Sequence, residues 1–275
     1  PLRQHLAGRL DVVGSYPEPE PFSLEALLAE HLGISPQAVM VTAGVTEAIY
    51  LIAQLYKGCA SVIPQPTYSE YADACKMHDH IVSYYDNDDM VTLPENRLYW
   101  LCNPNNPTGN VMAKGLMNHV VRHQLHYTFV IDQSYEAYTD KSLLKPSELT
   151  DVHNVILLHS ITKRYCIPGL RIGYITASPI IIDRLRQLRQ PWTVSPLAIE
   201  AARFFIESGT DVISDRQAYL DEARRLHAEL IAIDGMMLMD SDAHFMLCYL
   251  YNTEARRLKQ WLIDNHGILI RDASN

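Results

Sequence analysis

The chain has 275 residues, of which 48% are hydrophobic and 20% are charged, and its formal net charge is -9. This composition argues against a disordered chain and supplies enough apolar residues for one large domain and a smaller one. The negative charge argues against nonspecific binding to nucleic acid, which requires a basic face.

The cysteines and the apolar runs indicate the compartment. Five cysteines are spread along the chain without a Cys-x-x-Cys pair, a pattern typical of free thiols in a reducing environment. No apolar run reaches membrane-spanning length, and no secretory signal opens the chain. We therefore expect a cytoplasmic protein without membrane or nucleic-acid partners.

Short apolar runs alternate with amphipathic stretches in the first two thirds of the chain. An amphipathic pattern at 45–56 predicts a helix. Because the runs are almost continuously apolar, they suit strands that are buried on both faces. We therefore predict an α/β fold, with a mostly parallel central sheet and helices on both faces. The predicted strands are 37–44, 60–66, 98–109 (closing in a turn), 127–132, 154–160 and 171–178.

After residue 195 the pattern changes to that of a small α+β unit. The elements predicted there are helices at 195–209 and 211–233, a strand at 244–251, a helix that ends at Gly267 and a strand at 268–272.

The chain divides into three predicted parts. An N-terminal arm, 1–22, contains a proline-rich stretch that favours extended backbone. A large domain follows at 23–208, and a small C-terminal domain at 209–275. We expect the small domain to continue beyond the last residue of the chain.

Polar residues follow several predicted strands, where open α/β sheets bind ligands. Gly44 precedes a helix that begins with Val45 and Thr46, and amides at a helix N-terminus favour a phosphate. Asp132 ends the fourth strand, and Tyr135 follows three residues later. A buried carboxylate needs a partner such as a protonated ring nitrogen, and a nearby phenol can donate to an oxygen on that ring. Each feature alone is also compatible with a structural role.

The stretch HSITKRYCIPGLRIGY places a lysine directly after a run typical of a core strand. Two hydroxyls, Ser160 and Thr162, precede Lys163, and Arg171 follows eight positions later. A strand-end lysine alone is more typical of a surface. Together with the arginine and the hydroxyls, it indicates a reactive amine beside an anion site.

One ligand satisfies all of these groups, and that ligand is pyridoxal 5'-phosphate. Its aldehyde needs a lysine amine, its phosphate needs amides, hydroxyls and an arginine, and its pyridinium needs a carboxylate. Tyr68 can stack on its ring, and Asn106 can bind a ring substituent. No metal site is predicted, because the histidines that share a helix face lack the glutamate of a His-Glu-x-x-His motif. These histidines are His119, His123 and His126.

The motifs resemble those of the fold type I pyridoxal-phosphate enzymes, the aspartate aminotransferase superfamily. The resemblance rests on TAGVTEA, QPTY, NPNNPTG, DQSY and SITKRYCIPGLRIGY, and runs from about Tyr16 to Arg271. It implies that Lys163 binds the cofactor covalently and later moves protons. It also implies that Asp132 keeps the pyridine nitrogen protonated.

The same resemblance assigns the other cofactor contacts. Tyr135 and Asn106 are assigned to the ring hydroxyl oxygen, and Tyr68 to the face of the ring. Tyr16 is similar to a tyrosine that reaches the cofactor phosphate of the neighbouring subunit, which implies a homodimer. The residues assigned to the phosphate are Val45, Thr46, Ser160, Thr162 and Arg171.

Two subgroups of this superfamily are similar to the chain, and both imply a small phosphorylated amino-acid or amine substrate. Threonine-phosphate decarboxylases make the aminopropanol phosphate of cobalamin synthesis, and histidinol-phosphate aminotransferases use 2-oxoglutarate and glutamate. TKRYCIPGLRIGY and ILIRDASN are more similar to the decarboxylases. Arg271 is the candidate substrate-binding residue, and the arginine for the substrate carboxylate is expected beyond Asn275. A noncatalytic binding protein is disfavoured, because it would not need Lys163.

Overall fold

The computed structural model describes residues 1–86, 97–209, 213 and 215–274. Seven strands of this part form one sheet in the order β1-β7-β6-β5-β4-β2-β3. β7 is antiparallel to both neighbours, and the other pairs are parallel, which confirms the predicted mostly parallel sheet. The strands are β1 (Val39–Thr42), β2 (Ala60–Gln65), β3 (Ile81–Asp86), β4 (Arg97–Cys102), β5 (Tyr127–Asp132), β6 (Val155–His159) and β7 (Gly173–Ala177).

Helices cover both faces of the sheet, and a small unit follows it. The described helices are α1 (Leu2–Ala7), α2 (Phe22–Leu32), α3 (Val45–Leu55), α4 (Glu70–Met77), α5 (Lys114–His123), α6 (Ile161–Arg164), α7 (Pro179–Arg186), α8 (Pro196–Ser208), α9 (Arg216–Leu230) and α10 (Ala255–His266). In the small unit, β8 (Met236–Leu238) pairs antiparallel with β9 (Cys248–Leu250). No helix in the described ranges is long and apolar enough to cross a membrane.

The core lies on both sides of the sheet because successive side chains of a strand point to opposite faces. Trp100 packs on the face that carries α3, α4 and α7. Its neighbour Tyr99 packs on the opposite face with α5. On that same face, Val41 packs with α2 and α8. Burial on both faces explains why the strands are continuously apolar.

The sheet topology places the candidate site residues at one end of the sheet, where the parallel strands have their carboxyl ends. β1, β2, β4, β5 and β6 run parallel to one another, so their carboxyl ends lie together. β7 runs in the opposite direction, so the residues that precede it lie at this end as well. Asp132 ends β5, and Arg171 precedes β7. Residues that are far apart in sequence therefore lie close together at this end of the sheet.

The secondary structure corrects the predictions in the C-terminal part. The predicted strand at 268–272 is wrong, because residues 267–274 form neither strand nor helix. The predicted strand at 244–251 is shortened to the three residues of β9. A strand requires a neighbour to accept its hydrogen bonds, and β8 is the neighbour that the sequence did not predict.

The second helix of the small unit begins later than predicted. The Asp215 carboxylate accepts a hydrogen bond from the Ala218 amide at 2.9 Å, which caps the helix, and α9 begins at Arg216. The predicted residues 211, 212 and 214 lie outside the described residues. The domain boundaries at 22 and 208 stay predictions.

Gly173→Ala tests the tight packing of β7. A Cβ atom on Gly173 would lie 2.8 Å from the His159 carbonyl oxygen and 3.1 Å from the Val45 amide nitrogen. Both are backbone atoms that cannot rotate away, so we expect a loss of about 1–3 kcal/mol in the free energy of unfolding. Denaturant titration measures it.

Gly115→Ala in α5 is the control, since its added carbon would meet no atom within 4 Å outside the backbone of its own helix. We expect this variant to gain up to about 1 kcal/mol, because alanine restricts the unfolded chain. Equal destabilisation by both substitutions would contradict the close contact at Gly173.

Candidate active site

A guanidinium and a helix N-terminus form the first corner of the site. α3 begins at Val45 after Gly44, whose φ of 82° suits glycine. A Cβ on Gly44 would lie 2.8 Å from Nη2 of Arg171, so the glycine allows the arginine to lie against the start of the helix. Thr46 is the second residue of α3. The amide groups and the guanidinium both favour an anion, as predicted for a phosphate.

The hydroxyls of Ser160 and Thr162 hold the short helix α6, which carries Lys163. Ser160 Oγ accepts a hydrogen bond from the Lys163 amide at 3.2 Å. Thr162 Oγ1 donates to the Ile172 carbonyl oxygen at 3.0 Å and accepts from the Ile172 amide at 3.1 Å. The Ser160 bond caps α6, and the two Thr162 bonds tie α6 to Ile172, directly before β7. The phosphate contacts predicted for both hydroxyls stay predictions.

Lys163 and Tyr135 form the second corner. The Lys163 side chain is exposed, and its Nζ atom lies 5.4 Å from the centroid of the Tyr135 ring. Burial raises the pKa of the Tyr135 phenol to about 12. The phenol is therefore protonated at neutral pH and can donate a hydrogen bond to a ligand oxygen.

Asp132 is the buried carboxylate of the site, with 3% of its surface exposed. The Tyr71 hydroxyl donates to Oδ2 at 2.7 Å, and the Ser134 amide donates to Oδ1 at 2.8 Å. Burial raises the pKa of Asp132, and the bonds from Ser134 and Tyr71 oppose this rise. In the described ranges no lysine or arginine forms an ion pair with it. A protonated ring nitrogen would supply the missing cation.

Tyr68, Asn106 and Arg271 line a cavity of about 590 Å³ at the same end of the sheet. The guanidinium carbon of Arg271 lies 6.0 Å from the centroid of the Tyr68 ring. The C-terminal segment therefore reaches the predicted ring-stacking residue, although it is not a strand. Tyr68, in turn, packs edge-on against Tyr71 with ring centroids 5.6 Å apart.

Tyr16 lies on the surface of the chain. Its side chain is 87% exposed, and its ring centroid lies 5.7 Å from that of Trp192. This exposure leaves the ring available to a second subunit. The contact with a neighbouring cofactor site stays a prediction.

Tyr71 is a site residue that the sequence analysis missed. It lies three residues after Tyr68 and is the second residue of α4, whereas Tyr68 precedes that helix. That spacing was a usable signal, but a tyrosine on a helix face is ordinarily a core residue. Tyr71 is fully buried and stacks on Trp100 with ring centroids 5.3 Å apart. Core packing alone would therefore account for a tyrosine at this position, and the sequence gives no sign of its hydrogen bond to Asp132.

Comparison with known proteins identifies the class. Residues 5–275 match the family described as aminotransferase class I and II. The structure of L-threonine-O-3-phosphate decarboxylase from Porphyromonas gingivalis has 35% sequence identity and a TM-score of 0.97, over 100% of this chain and 85% of that chain. Histidinol-phosphate aminotransferase from Sinorhizobium meliloti, in complex with pyridoxal-5'-phosphate, shares the fold at 22% identity and a TM-score of 0.85, over 98% and 77%. Histidinol-phosphate aminotransferase from Thermoanaerobacter sp. (strain X514) is 29% identical over 95% of this chain and 76% of its own.

The chain therefore belongs to the class I and II aminotransferase family and has the fold type I architecture of pyridoxal-phosphate enzymes. It is a pyridoxal-phosphate-dependent decarboxylase or aminotransferase. The residues present fit the cofactor on two observations. Asp132 is buried without a cationic side chain paired to it in the described structure, and Gly44 leaves room for Arg171 at the start of α3.

Tyr71→Phe tests the support of Asp132. The substitution removes one hydroxyl and keeps the ring on Trp100. Hydrogen bonds to charged groups contribute about 1.5–3 kcal/mol, so we expect turnover to fall by about tenfold or more. The pKa of Asp132 should rise, and binding of the protonated cofactor should weaken. Absorbance titration with the cofactor and steady-state kinetics measure these effects.

Tyr50→Phe is the matched control. Tyr50 lies on α3, and its hydroxyl donates at 3.1 Å to the carboxylate of Glu70, the first residue of α4, instead of to Asp132. We expect its kinetics and cofactor binding to remain normal. If the two variants behaved alike, the Tyr71 hydroxyl would have no specific effect on Asp132.

Proposed function

We propose that the chain decarboxylates L-threonine O-3-phosphate to aminopropanol phosphate, an intermediate of cobalamin synthesis. The observation that supports this choice is the similarity to the Porphyromonas gingivalis decarboxylase, which extends over the whole chain at a TM-score of 0.97 and 35% identity. The likeness to the histidinol-phosphate aminotransferase structure from Sinorhizobium meliloti is lower, at a TM-score of 0.85 and 22% identity.

The proposed residue roles come from the family resemblance, and the positions of these residues near the carboxyl ends of the parallel strands support them. When bound, the cofactor supplies an electron-withdrawing ring for the substrate's α-carbon. Asp132 keeps the ring nitrogen protonated, and Tyr71 and Ser134 keep Asp132 ionised and oriented. Tyr135 donates a hydrogen bond to the ring hydroxyl oxygen, and Asn106 binds the same oxygen. Lys163 binds the aldehyde and holds the proton that replaces carbon dioxide at the α-carbon.

Substrate orientation decides between decarboxylation and transamination. Only the α-carbon bond that stands perpendicular to the cofactor ring is weakened, so the cations that hold the charged ends of the substrate select the reaction. Arg171 lies against Gly44 and is assigned to the cofactor phosphate. Arg271 lies over Tyr68 instead, and we assign it to the substrate.

Histidinol-phosphate aminotransferase is the second candidate function. The enzyme from Thermoanaerobacter sp. is 29% identical over 95% of this chain, which supports this alternative at the level of sequence. Its substrate is also a phosphorylated amine, so the proposed site is compatible with both reactions.

We also propose that two chains form a dimer with shared sites, in which Tyr16 reaches the cofactor phosphate of its neighbour. The support is the exposure of this side chain in the proline-rich arm. Sedimentation of the holoenzyme at micromolar concentration should show a dimer. A monomer with full activity would exclude the shared site.

A parallel assay distinguishes the two candidate reactions. The holoenzyme is incubated with O-phosphothreonine, and separately with histidinol phosphate and 2-oxoglutarate. We expect carbon dioxide from the first mixture and no glutamate from the second, with Lys163→Ala as the background. Glutamate without carbon dioxide would replace the decarboxylase by the aminotransferase. The absence of both products would reject both substrates.

Arg271→Ala tests the proposed substrate cation. Loss of a bidentate contact should raise KM for O-phosphothreonine at least tenfold, about 1.4 kcal/mol, while cofactor affinity changes little. The variant should also discriminate less between phosphothreonine and threonine. The control is Arg257→Ala, an exposed arginine of α10.

Three outcomes separate the possible roles of Arg271. A loss confined to the phosphorylated substrate supports contact with its phosphate. An equal loss for threonine would assign Arg271 to the shared carboxylate. Unchanged affinity for both substrates would remove Arg271 from the site.

A further inference from the structure

A segment of the small unit, residues 241–245, is anchored on the turn that follows Asn106. The Asp242 amide donates to the Gly109 carbonyl oxygen at 3.1 Å, and the Val111 amide donates to Asp242 Oδ2 at 3.1 Å. A Cβ on Gly109 would collide with the Ser241 side chain and would lie 2.8 Å from the Phe245 carbonyl oxygen. The close approach of two backbones fixes segment 241–245 against the large domain.

This anchoring places His244 beside the site. Its ring stacks on Tyr138, with centroids 3.9 Å apart and planes at 29°. Its centroid also lies 6.3 Å from that of Tyr135. Nδ1 of His244 is buried and has no hydrogen-bond partner in the part of the chain that the structure describes. The contacts of this ring with the large domain are thus stacking contacts.

His244 is also electrostatically coupled to the site. Burial lowers the pKa of His244 to about 4, and the charge of Lys163 acts in the same direction. The imidazole is therefore neutral at neutral pH. A neutral ring adds no repulsion to the lysine amine, as a second cation would.

Tyr138 connects this ring to the reactive lysine. Its hydroxyl donates to the main-chain carbonyl oxygen of Lys163 at 2.9 Å. The helix that carries Lys163, α6, has four residues, which is too short to be stable by itself. Its position therefore depends on bonds from outside, and the Tyr138 hydroxyl is one of them.

We propose that His244 is a positioning residue for Lys163 that acts through Tyr138. The stacked imidazole fixes the Tyr138 ring, and the Tyr138 hydroxyl fixes the main chain of the lysine. The small unit thereby helps to position the Lys163 amine, although His244 and Lys163 are far apart in sequence. This inference rests on the role proposed above for Lys163.

A double-mutant cycle with His244→Ala and Tyr138→Phe tests the proposal on the holoenzyme. The first change removes the stack, and the second removes the hydroxyl bond but keeps the ring. We expect each single variant to lower kcat by about threefold to tenfold, with KM changed less than about twofold. The double variant should lose no more kcat than the more affected single variant, because both changes interrupt the same chain of contacts from His244 through Tyr138 to Lys163.

Two readouts besides turnover accompany the cycle. The pH midpoint of the absorbance of the lysine-bound cofactor should shift alike in both single variants. In the protein without cofactor, hydrogen exchange at the amides of α6 should increase in both. His244→Phe, which restores a stacking ring, should recover most of the lost kcat. His126→Ala, an exposed histidine outside the site, should leave all readouts unchanged.

The outcomes are distinguishable. Additive losses in the cycle would show that the two residues act separately and would overturn the proposal. A rise in KM alone, with an unshifted absorbance midpoint, would make His244 a substrate contact instead. If Lys163→Ala still bound the cofactor covalently, the proposed function of Lys163 would fail first. A lysine-bound cofactor with an additive cycle would reject only the role of His244.

Discussion

Asp132 lies near the middle of the sheet, at the end of a strand where burial removes its charge from water and raises its pKa. A carboxylate in this place is stable only if donors and a cation compensate for lost hydration. Tyr71 and Ser134 supply the donors. The remaining requirement is a positive charge, and the protonated ring of pyridoxal phosphate meets it. The buried charge of Asp132 therefore fits the cofactor that the family uses, and the surrounding groups are arranged around it.

The sheet topology distributes the other groups around that charge. Because β7 runs against its neighbours, Arg171 lies at the same end of the sheet as the carboxyl ends of the parallel strands. Gly44 and Gly173 allow close approaches there, the first to the guanidinium and the second between β7 and the start of α3. The anion-binding groups beside β1 and β7 and the lysine that follows β6 therefore lie at the same end of the sheet as Asp132, on one side of it in the strand order.

The sequence predicted the parts of the site that depend on residue type at strand ends, such as Asp132, Lys163 and Arg171. Parallel order brings the carboxyl ends of β5 and β6 together, whereas Arg171 reaches the same end of the sheet because β7 is antiparallel. Tyr71 and His244 could not be predicted in the same way, since their contacts depend on how α4 and segment 241–245 pack against the sheet. An aromatic or histidine at such a position has many possible partners, and only tertiary structure selects one.

The errors in the fold have similar causes. β3 was not predicted because its sequence is not continuously apolar, and its first residue, Ile81, is 70% exposed. The apolar run at 268–272 satisfied the same pattern but has no neighbouring strand among the described residues, so it forms no ladder. An apolar pattern in the sequence indicates that a segment is buried. A strand also needs a neighbouring strand to form its hydrogen bonds.

Chemical mapping of the cofactor attachment tests the central assignment most directly. The holoenzyme is reduced with borohydride, which makes a lysine-bound cofactor permanent, and its peptides are analysed by mass spectrometry. We expect the cofactor mass on the peptide that contains Lys163 and on no other lysine. A cofactor attached at another lysine, or a fully occupied enzyme without any attachment, would contradict the assignment of Lys163 and of the site built around it.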